Sequence, residues 1–196
     1  KMAQAASKAA VVPFGVLELE KLFNDCQSRL LTFGVDGGDF RASNIVIAEV
    51  TSFLMECPWG SRQINIRVPG RHNVANALAA AASCLNLGAN LEDVAEGLES
   101  LEAPSWRMET VKLKGARILF KDYYNANPQS MKAALETLSE SGKGARRLAI
   151  LGDMMELGAL SDELHGEIGK CAASLNIEKV VFIGSSSEAF AKGFGE

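Results

Sequence analysis

Residues 122–131 read Asp-Tyr-Tyr-Asn-Ala-Asn-Pro-Gln-Ser-Met, which sets an acid, two aromatic rings and two amides where a strand gives way to a helix. Those groups suit nucleotide and substrate binding, and open α/β sheets leave a crevice for such ligands at the carboxyl ends of their strands. The apolar run Ala116 to Phe120 predicts a buried strand that ends at Asp122. Pro128, Met131, Ala134, Leu135 and Leu138 predict an amphipathic helix with proline in its first turn. Asn127 is either a helix N-cap or a group lining the crevice. Asn125 precedes the cap, and no helix-end rule asks for it, so a substrate-facing or turn-forming role stands beside a neutral one. Adjacent residues at a strand end face opposite ways. Of the only two tyrosines, Tyr124 shares the parity of Asp122 and is the ligand-side candidate, while Tyr123 is expected to pack inward.

A second polar cluster opens an alanine-rich helix. Gly70-Arg71-His72-Asn73-Val74-Ala75-Asn76 puts Asn73 and Asn76 three residues apart, on one face of the first turn, where free amide donors favour polar or negative ligands. These two are candidates for reading a base, whereas His72 is read first as a structural histidine. Between the clusters lies Ala103-Pro104-Ser105-Trp106-Arg107. An arginine fixed by a Pro-Trp neighbour suits phosphate, because its planar fork grips oxygens in pairs, although a merely solvated Arg107 is the alternative.

The elements that must position these residues read as an α/β fold. Short strands at Ala9–Val12 and Arg29–Phe33 flank a helix over Val16–Cys26, and three antiparallel strands follow between Phe40 and Val68. A helix from Gly70 to Leu87 stops at Gly88, and a second spans Leu91–Leu101. A hairpin pairs Met108–Leu113 with Arg117–Phe120. Ser139 to Ala145 is the most linker-like stretch, and it predicts a domain boundary after residue 142. Beyond it, a strand at Arg147–Leu151, a helix capped by Ser161 and a parallel strand at Lys179–Ile183 form a β-α-β unit. The carboxylates of Asp153 and Glu156 follow the first of these strands and are within reach of the first domain in that reading.

Composition narrows the function classes. With 196 residues, 47% of them hydrophobic, the chain holds one large or two small domains. A net charge of −4 and dispersed basic residues argue against nucleic acid as a partner. No apolar run approaches a membrane span and no secretory signal opens the chain, so a soluble, cytoplasmic protein is expected. Cys26, Cys57, Cys84 and Cys171 are widely spaced, which predicts buried thiols and neither a zinc site nor a disulfide framework. Gly142-Lys143 is not a phosphate loop, since no glycine stands five residues earlier and no Ser or Thr comes after.

Taken together, the run at 70–82, Pro104-Ser105-Trp106-Arg107, the run at 122–131, and Leu151-Gly152-Asp153-Met154-Met155-Glu156-Leu157-Gly158 with Ser161 and His165 downstream resemble the Mur ligases in content and order. Folylpolyglutamate and cyanophycin synthetases share that fold, but typically lack the Tyr-Asn-Ala-Asn-Pro run. The resemblance implies the second half of a central ATPase domain over residues 1–142 and the start of a Rossmann-like C-terminal ligase domain over 143–196. It implies a monomeric parent that uses ATP and Mg²⁺ to join D-alanyl-D-alanine to UDP-N-acetylmuramoyl-tripeptide through an acyl phosphate, in peptidoglycan precursor synthesis. Asn73 and Asn76 would contact the base, Arg107 the ATP phosphates, and Asp122 the ribose or its neighbourhood. Tyr124, Asn125 and Asn127 would line the region where substrates meet. His72, Asp153, Glu156 and His165 match motif positions without an assigned role. The phosphate-loop and carbamylated lysines of the family are expected upstream of residue 1, so the 196 residues alone are expected to be inactive. Lys121 departs from the pattern, standing where a second acid is common. Another amino acid ligase of the superfamily, or a non-catalytic α/β module that binds a nucleotide or a protein, remains the alternative.

Overall fold

The computed structural model describes residues 8–16, 19, 28–142 and 144–195. Packing divides the chain into two compact units, Lys1–Glu102 and Ala103–Glu196.

In the first unit a five-stranded sheet runs in sequence order: β1 (Ala9–Pro13), β2 (Arg29–Gly34), β3 (Phe40–Val46), β4 (Thr51–Cys57) and β5 (Gly60–Ile66). β1, β2 and β3 are parallel neighbours, whereas β3-β4 and β4-β5 are antiparallel, as the turn-separated apolar runs predict. The helix expected over Val16–Cys26 falls almost wholly outside the described residues. Phe53, Met55, Ile64 and Ile66 alternate inward along β4 and β5. Each such burial contributes about 1.5–3 kcal/mol before conformational entropy is set against it.

Onto this sheet packs α1 (Arg71–Asn86), with Val74, Ala77, Leu78, Ala81, Ala82 and Leu85 buried. Alanine on the packed face lets the helix approach the strands closely. Gly70 precedes it at φ 110°, a conformation that favours glycine, and Gly88 at φ 103° ends it. The shorter α2 (Leu91–Glu99) is capped by Asn90, whose side chain accepts from the Asp93 amide, and it is tied to β5 by Arg62–Glu92 at 2.6 Å.

The second unit begins with the hairpin β6 (Glu109–Leu113) and β7 (Arg117–Lys121), followed by α3 (Pro128–Ser141). A parallel pair comes next, β8 (Leu148–Gly152) and β9 (Lys179–Ile183), with α4 (Ser161–Ser174) between them and α5 (Ser187–Phe194) after. Ala149, Leu151, Val180 and Phe182 face a core shared with Met131 and Leu135 of α3, Ile168 and Ala172 of α4, and Phe190 of α5. The opposite face of the pair carries Leu148, Ile150, Val181 and Ile183, all exposed.

Several expectations change here. The compact units meet after Glu102, whereas the sequence puts the boundary after residue 142; the apolar face of α3 packs with α4, α5 and the β8-β9 pair beyond the linker-like stretch, and so belongs to the second unit together with the hairpin. The run Ala116 to Phe120 is not a buried strand: Ile118 and Leu119 are exposed in a two-stranded ribbon that pairs with no third strand among the described residues. Asp122 therefore follows an antiparallel hairpin, not a parallel sheet edge. Ser161 is the first residue of its helix and does not cap it, because a 3₁₀ turn (Gly158–Leu160) leads straight in. Of the three described cysteines none is buried: Cys84 is exposed, and Cys57 and Cys171 are half-buried.

Candidate functional site

The hairpin β6-β7 fixes the best-defined polar constellation. Its register pairs Glu109 with Lys121, and the same count carried one and three residues further sets Met108 opposite Asp122 and Trp106 opposite Tyr124. One side-chain bond and one further backbone bond extend the pairing beyond the ladder. Asp122 Oδ1 accepts from the Met108 amide at 3.1 Å, and the Tyr124 amide donates to the Trp106 carbonyl at 3.3 Å. Trp106 and Met108 hold φ of 65° and 51°, left-handed conformations that cost roughly 1–2 kcal/mol per non-glycine residue. The tight turn is closed by the Arg107 amide donating to the Pro104 carbonyl at 3.1 Å.

That turn lays two side chains on the two tyrosine rings. The Arg107 guanidinium sits 4.3 Å from the centroid of Tyr124, and the Trp106 ring stacks on Tyr123 with centroids 5.9 Å apart. Both tyrosines are exposed, so the expected inward packing of Tyr123 does not occur; residues 122–127 are no longer strand and the alternation rule lapses. It is also Tyr124, not Trp106, that carries the arginine. Glu109 accepts from Lys121 Nζ at 3.1 Å through one oxygen and from the Trp106 amide at 3.3 Å through the other. The Lys121 hydrogen bond first, and the Trp106 amide second, hold the Glu109 carboxyl below the usual carboxylate range.

Downstream, Asn125 Oδ1 accepts from the Ala126 amide at 2.9 Å. Asn127 caps α3 reciprocally: its side chain accepts from the Ser130 amide at 2.9 Å, and its own amide donates to Ser130 Oγ at 3.1 Å. The capping role of Asn127 is thus filled, which occupies its side-chain oxygen. Asp122, Tyr124, Asn125 and Arg107 present exposed polar edges within this second unit.

In the first unit, Asn73 and Asn76 are linked, with Asn76 Nδ2 donating to Asn73 Oδ1 at 3.3 Å. Asn73 Nδ2 donates to the Pro69 carbonyl at 2.8 Å, which orients the pair at the start of α1. No acidic side chain belongs to the first turn of α1 itself, and the Asn73 amide donates to the Gly70 carbonyl at 3.0 Å.

Two motif positions left without a role turn out to be braces. His165 is fully buried, and its Nε2 accepts from the Met154 amide at 2.9 Å. That fixes the proton on Nδ1, which lies 2.7 Å from the Ser161 carbonyl. The Asp153 carboxylate accepts from Ser185 Oγ and the Ser185 amide, each at 2.8 Å, and from the Ser186 amide at 3.0 Å. Ser185 Oγ first, then the Ser186 amide, hold its carboxyl below the ordinary range. Asp153 is thus spent within its own unit, tying the end of β8 to the start of α5.

Among the described residues no group of three or more His, Cys, Asp or Glu side chains comes together in a way that could hold a metal ion.

Residues 4–84 match the family model of the Mur ligase middle domain, and residues 106–195 match that of the Mur ligase glutamate ligase domain. The chain belongs to the Mur ligases. Within the family it is similar to the UDP-N-acetylmuramoyl-tripeptide--D-alanyl-D-alanine ligase of Escherichia coli strain K12, at 41% identity over 161 residues, 81% of this chain and 35% of that protein. The enzyme of the same name from Bacillus subtilis strain 168 is 39% identical over 129 residues, 65% of this chain and 28% of its own length. A crystal structure of MurF from Acinetobacter baumannii superposes with a TM-score of 0.86 at 32% identity, covering 94% of this chain and 40% of that one. The chain thus spans about a third of the length of the curated Mur ligases it matches. The start of the glutamate ligase match at residue 106 falls close to the division between the compact units.

Glu109 is the site residue that sequence reading missed. Its signal was present: once the turn at Lys114-Gly115 is fixed, counting back along the hairpin places an acid directly opposite Lys121.

Proposed function

We propose that this Mur ligase chain is part of an ATP-dependent amide ligase that joins D-alanyl-D-alanine to UDP-N-acetylmuramoyl-tripeptide, acting as a cytoplasmic monomer in peptidoglycan precursor synthesis. In that reaction the terminal carboxylate of the peptide takes the γ-phosphoryl group of ATP, releasing ADP and leaving an acyl phosphate. The dipeptide amine then attacks the acyl carbon, and the tetrahedral intermediate expels phosphate as the amide forms. Mg²⁺, when bound with ATP, would supply charge neutralisation on the phosphates.

The observation that carries this reading is Arg107, held by a turn of two left-handed residues and laid on the Tyr124 ring, with the neighbouring Met108 amide bonded to the Asp122 carboxylate. A guanidinium fixed against a ring face keeps its N–H edge open for phosphate oxygens, and its orientation is set before the ligand arrives. The second oxygen of Asp122 suits the hydroxyls of a ribose. The linked amides of Asn73 and Asn76 suit the donor and acceptor edge of a base. Tyr124, Asn125 and Asn127 then border the place where the acyl phosphate meets the amine. A MurF ligase of the same fold, from Thermotoga maritima, has been solved in complex with ADP, which supports a nucleotide as the shared ligand.

Replacing Arg107 by alanine in the full-length protein tests the assignment. The expected result is a KM for ATP raised by roughly 10-fold to 100-fold with the fold intact. An unchanged KM for ATP would remove Arg107 from the nucleotide site.

A further inference from the structure

The turn 104–108 is held by more than its own backbone. Neither Trp106 nor Met108 is a glycine, yet both are left-handed, and each has its amide taken by a carboxylate from the hairpin: Trp106 by Glu109 at 3.3 Å and Met108 by Asp122 at 3.1 Å. Arg107 lies between these two anchored residues. Glu109 is in turn fixed across the strands by Lys121 at 3.1 Å, a pair whose side chains are each about one-third exposed. The flanking Trp106 and Tyr123 rings stack on one another, and the guanidinium lies on Tyr124. The arrangement separates the cations: Lys121 is paired with Glu109, while the arginine is oriented by a ring, so its charge is not cancelled by the acid that steadies it.

We infer that Glu109, locked by Lys121, is a positioning residue for Arg107: it holds the Trp106 amide so that the guanidinium is presented on Tyr124 toward an anionic ligand. This deepens the nucleotide-site reading and rests on it for the identity of that ligand. Asp122 and Glu109 grip consecutive alternate amides of the turn, so loss of either acid lets Trp106 or Met108 return to a right-handed or extended conformation. Arg107 then leaves the ring. Lys121 acts one step further out, by orienting Glu109 and not by meeting phosphate itself.

The experiment has two arms. In the full-length protein, Glu109→Ala should raise the KM for ATP about tenfold and change kcat by less than about twofold, since it misplaces a binding group and touches no reacting atom. Glu109→Gln, which keeps an acceptor for the Trp106 amide, should recover part of that loss. In the isotopically labelled 196-residue chain, nuclear magnetic resonance should find the Arg107 side-chain protons shifted upfield by the Tyr124 ring. That shift should be lost in Glu109→Ala and retained in part in Glu109→Gln, with the melting temperature unchanged. If Arg107→Ala raises the KM for ATP and Glu109→Ala does not, the positioning role is wrong. If neither variant moves the KM, the nucleotide reading fails and the ring-current shift alone decides: its loss in Glu109→Ala upholds the positioning role, and its persistence overturns it.

Discussion

At the scale of single residues, the polar groups of this chain divide into those that face outward with donors or acceptors to spare and those already spent on the fold. Arg107 and Asp122 belong to the first kind, His165 and Asp153 to the second. Replacing His165 by alanine leaves the buried Met154 amide without its acceptor and opens a space against Phe190, whose ring meets the imidazole edge-on at 4.8 Å. The expected loss is about 3 kcal/mol, read from urea unfolding, and nitrogen resonances of the imidazole should report a neutral ring protonated at Nδ1. Asp153 makes a different prediction. Its folded-state pKa lies below the ordinary value, so the stability it contributes is present above the unfolded pKa of about 3.9 and is lost as pH falls through the lower folded value. Asp153→Asn should therefore lower the unfolding midpoint at neutral pH, and the gap to the unaltered chain should close below about pH 4. A gap independent of pH would mean that the carboxylate charge is not what holds Ser185 and Ser186.

Among the elements, α4 and α5 approach each other closely at their glycines. A Cβ added at Gly169 would collide with the Phe190 carbonyl, and one added at Gly193 with the Gly166 carbonyl. Gly169→Ala or Gly193→Ala should destabilise the second unit by about 1–3 kcal/mol or more, checked by chemical unfolding, because the backbone there has no flexible neighbour to yield. Asn127→Ala should cost about 1 kcal/mol through loss of the reciprocal cap. These elements also mark what the sequence could and could not reveal. The helix over Arg71–Asn86, the hairpin on either side of Lys114-Gly115 and the parallel pair β8-β9 were legible, because periodicity and turn residues act locally. The neighbours of an apolar face are not local. Nothing in Met131 and Leu135 says that they pack on Ala149 and Ile168, and a linker-like composition is a local signal that cannot report such packing. For the same reason Ile118 and Leu119 read as buried, although among the described residues their ribbon gains no third strand. At the candidate site, Arg107 and Asp122 stood out by type and spacing. The contacts that hold them, Arg107 on the Tyr124 ring and the Trp106 amide on Glu109, depended on a left-handed turn that no residue type announces.

As a whole molecule, the chain carries two compact units of the Mur ligase family, each with one of the polar clusters. Among the described residues no helix is long and apolar enough to cross a membrane. No G-x-x-x-x-G-K-[ST] run occurs in its 196 residues, so the chain by itself is expected neither to hydrolyse ATP nor to form an amide bond. A phosphate-release assay on the purified chain checks this, and sustained turnover would contradict it. The central claim concerns the full-length protein, and the most direct measurement is phosphate release with ATP, Mg²⁺ and UDP-N-acetylmuramoyl-tripeptide, with and without D-alanyl-D-alanine, tracking the product by mass. Release that depends on the dipeptide and yields the ligated pentapeptide is the predicted result; release indifferent to the dipeptide, or none at all, would contradict the assignment.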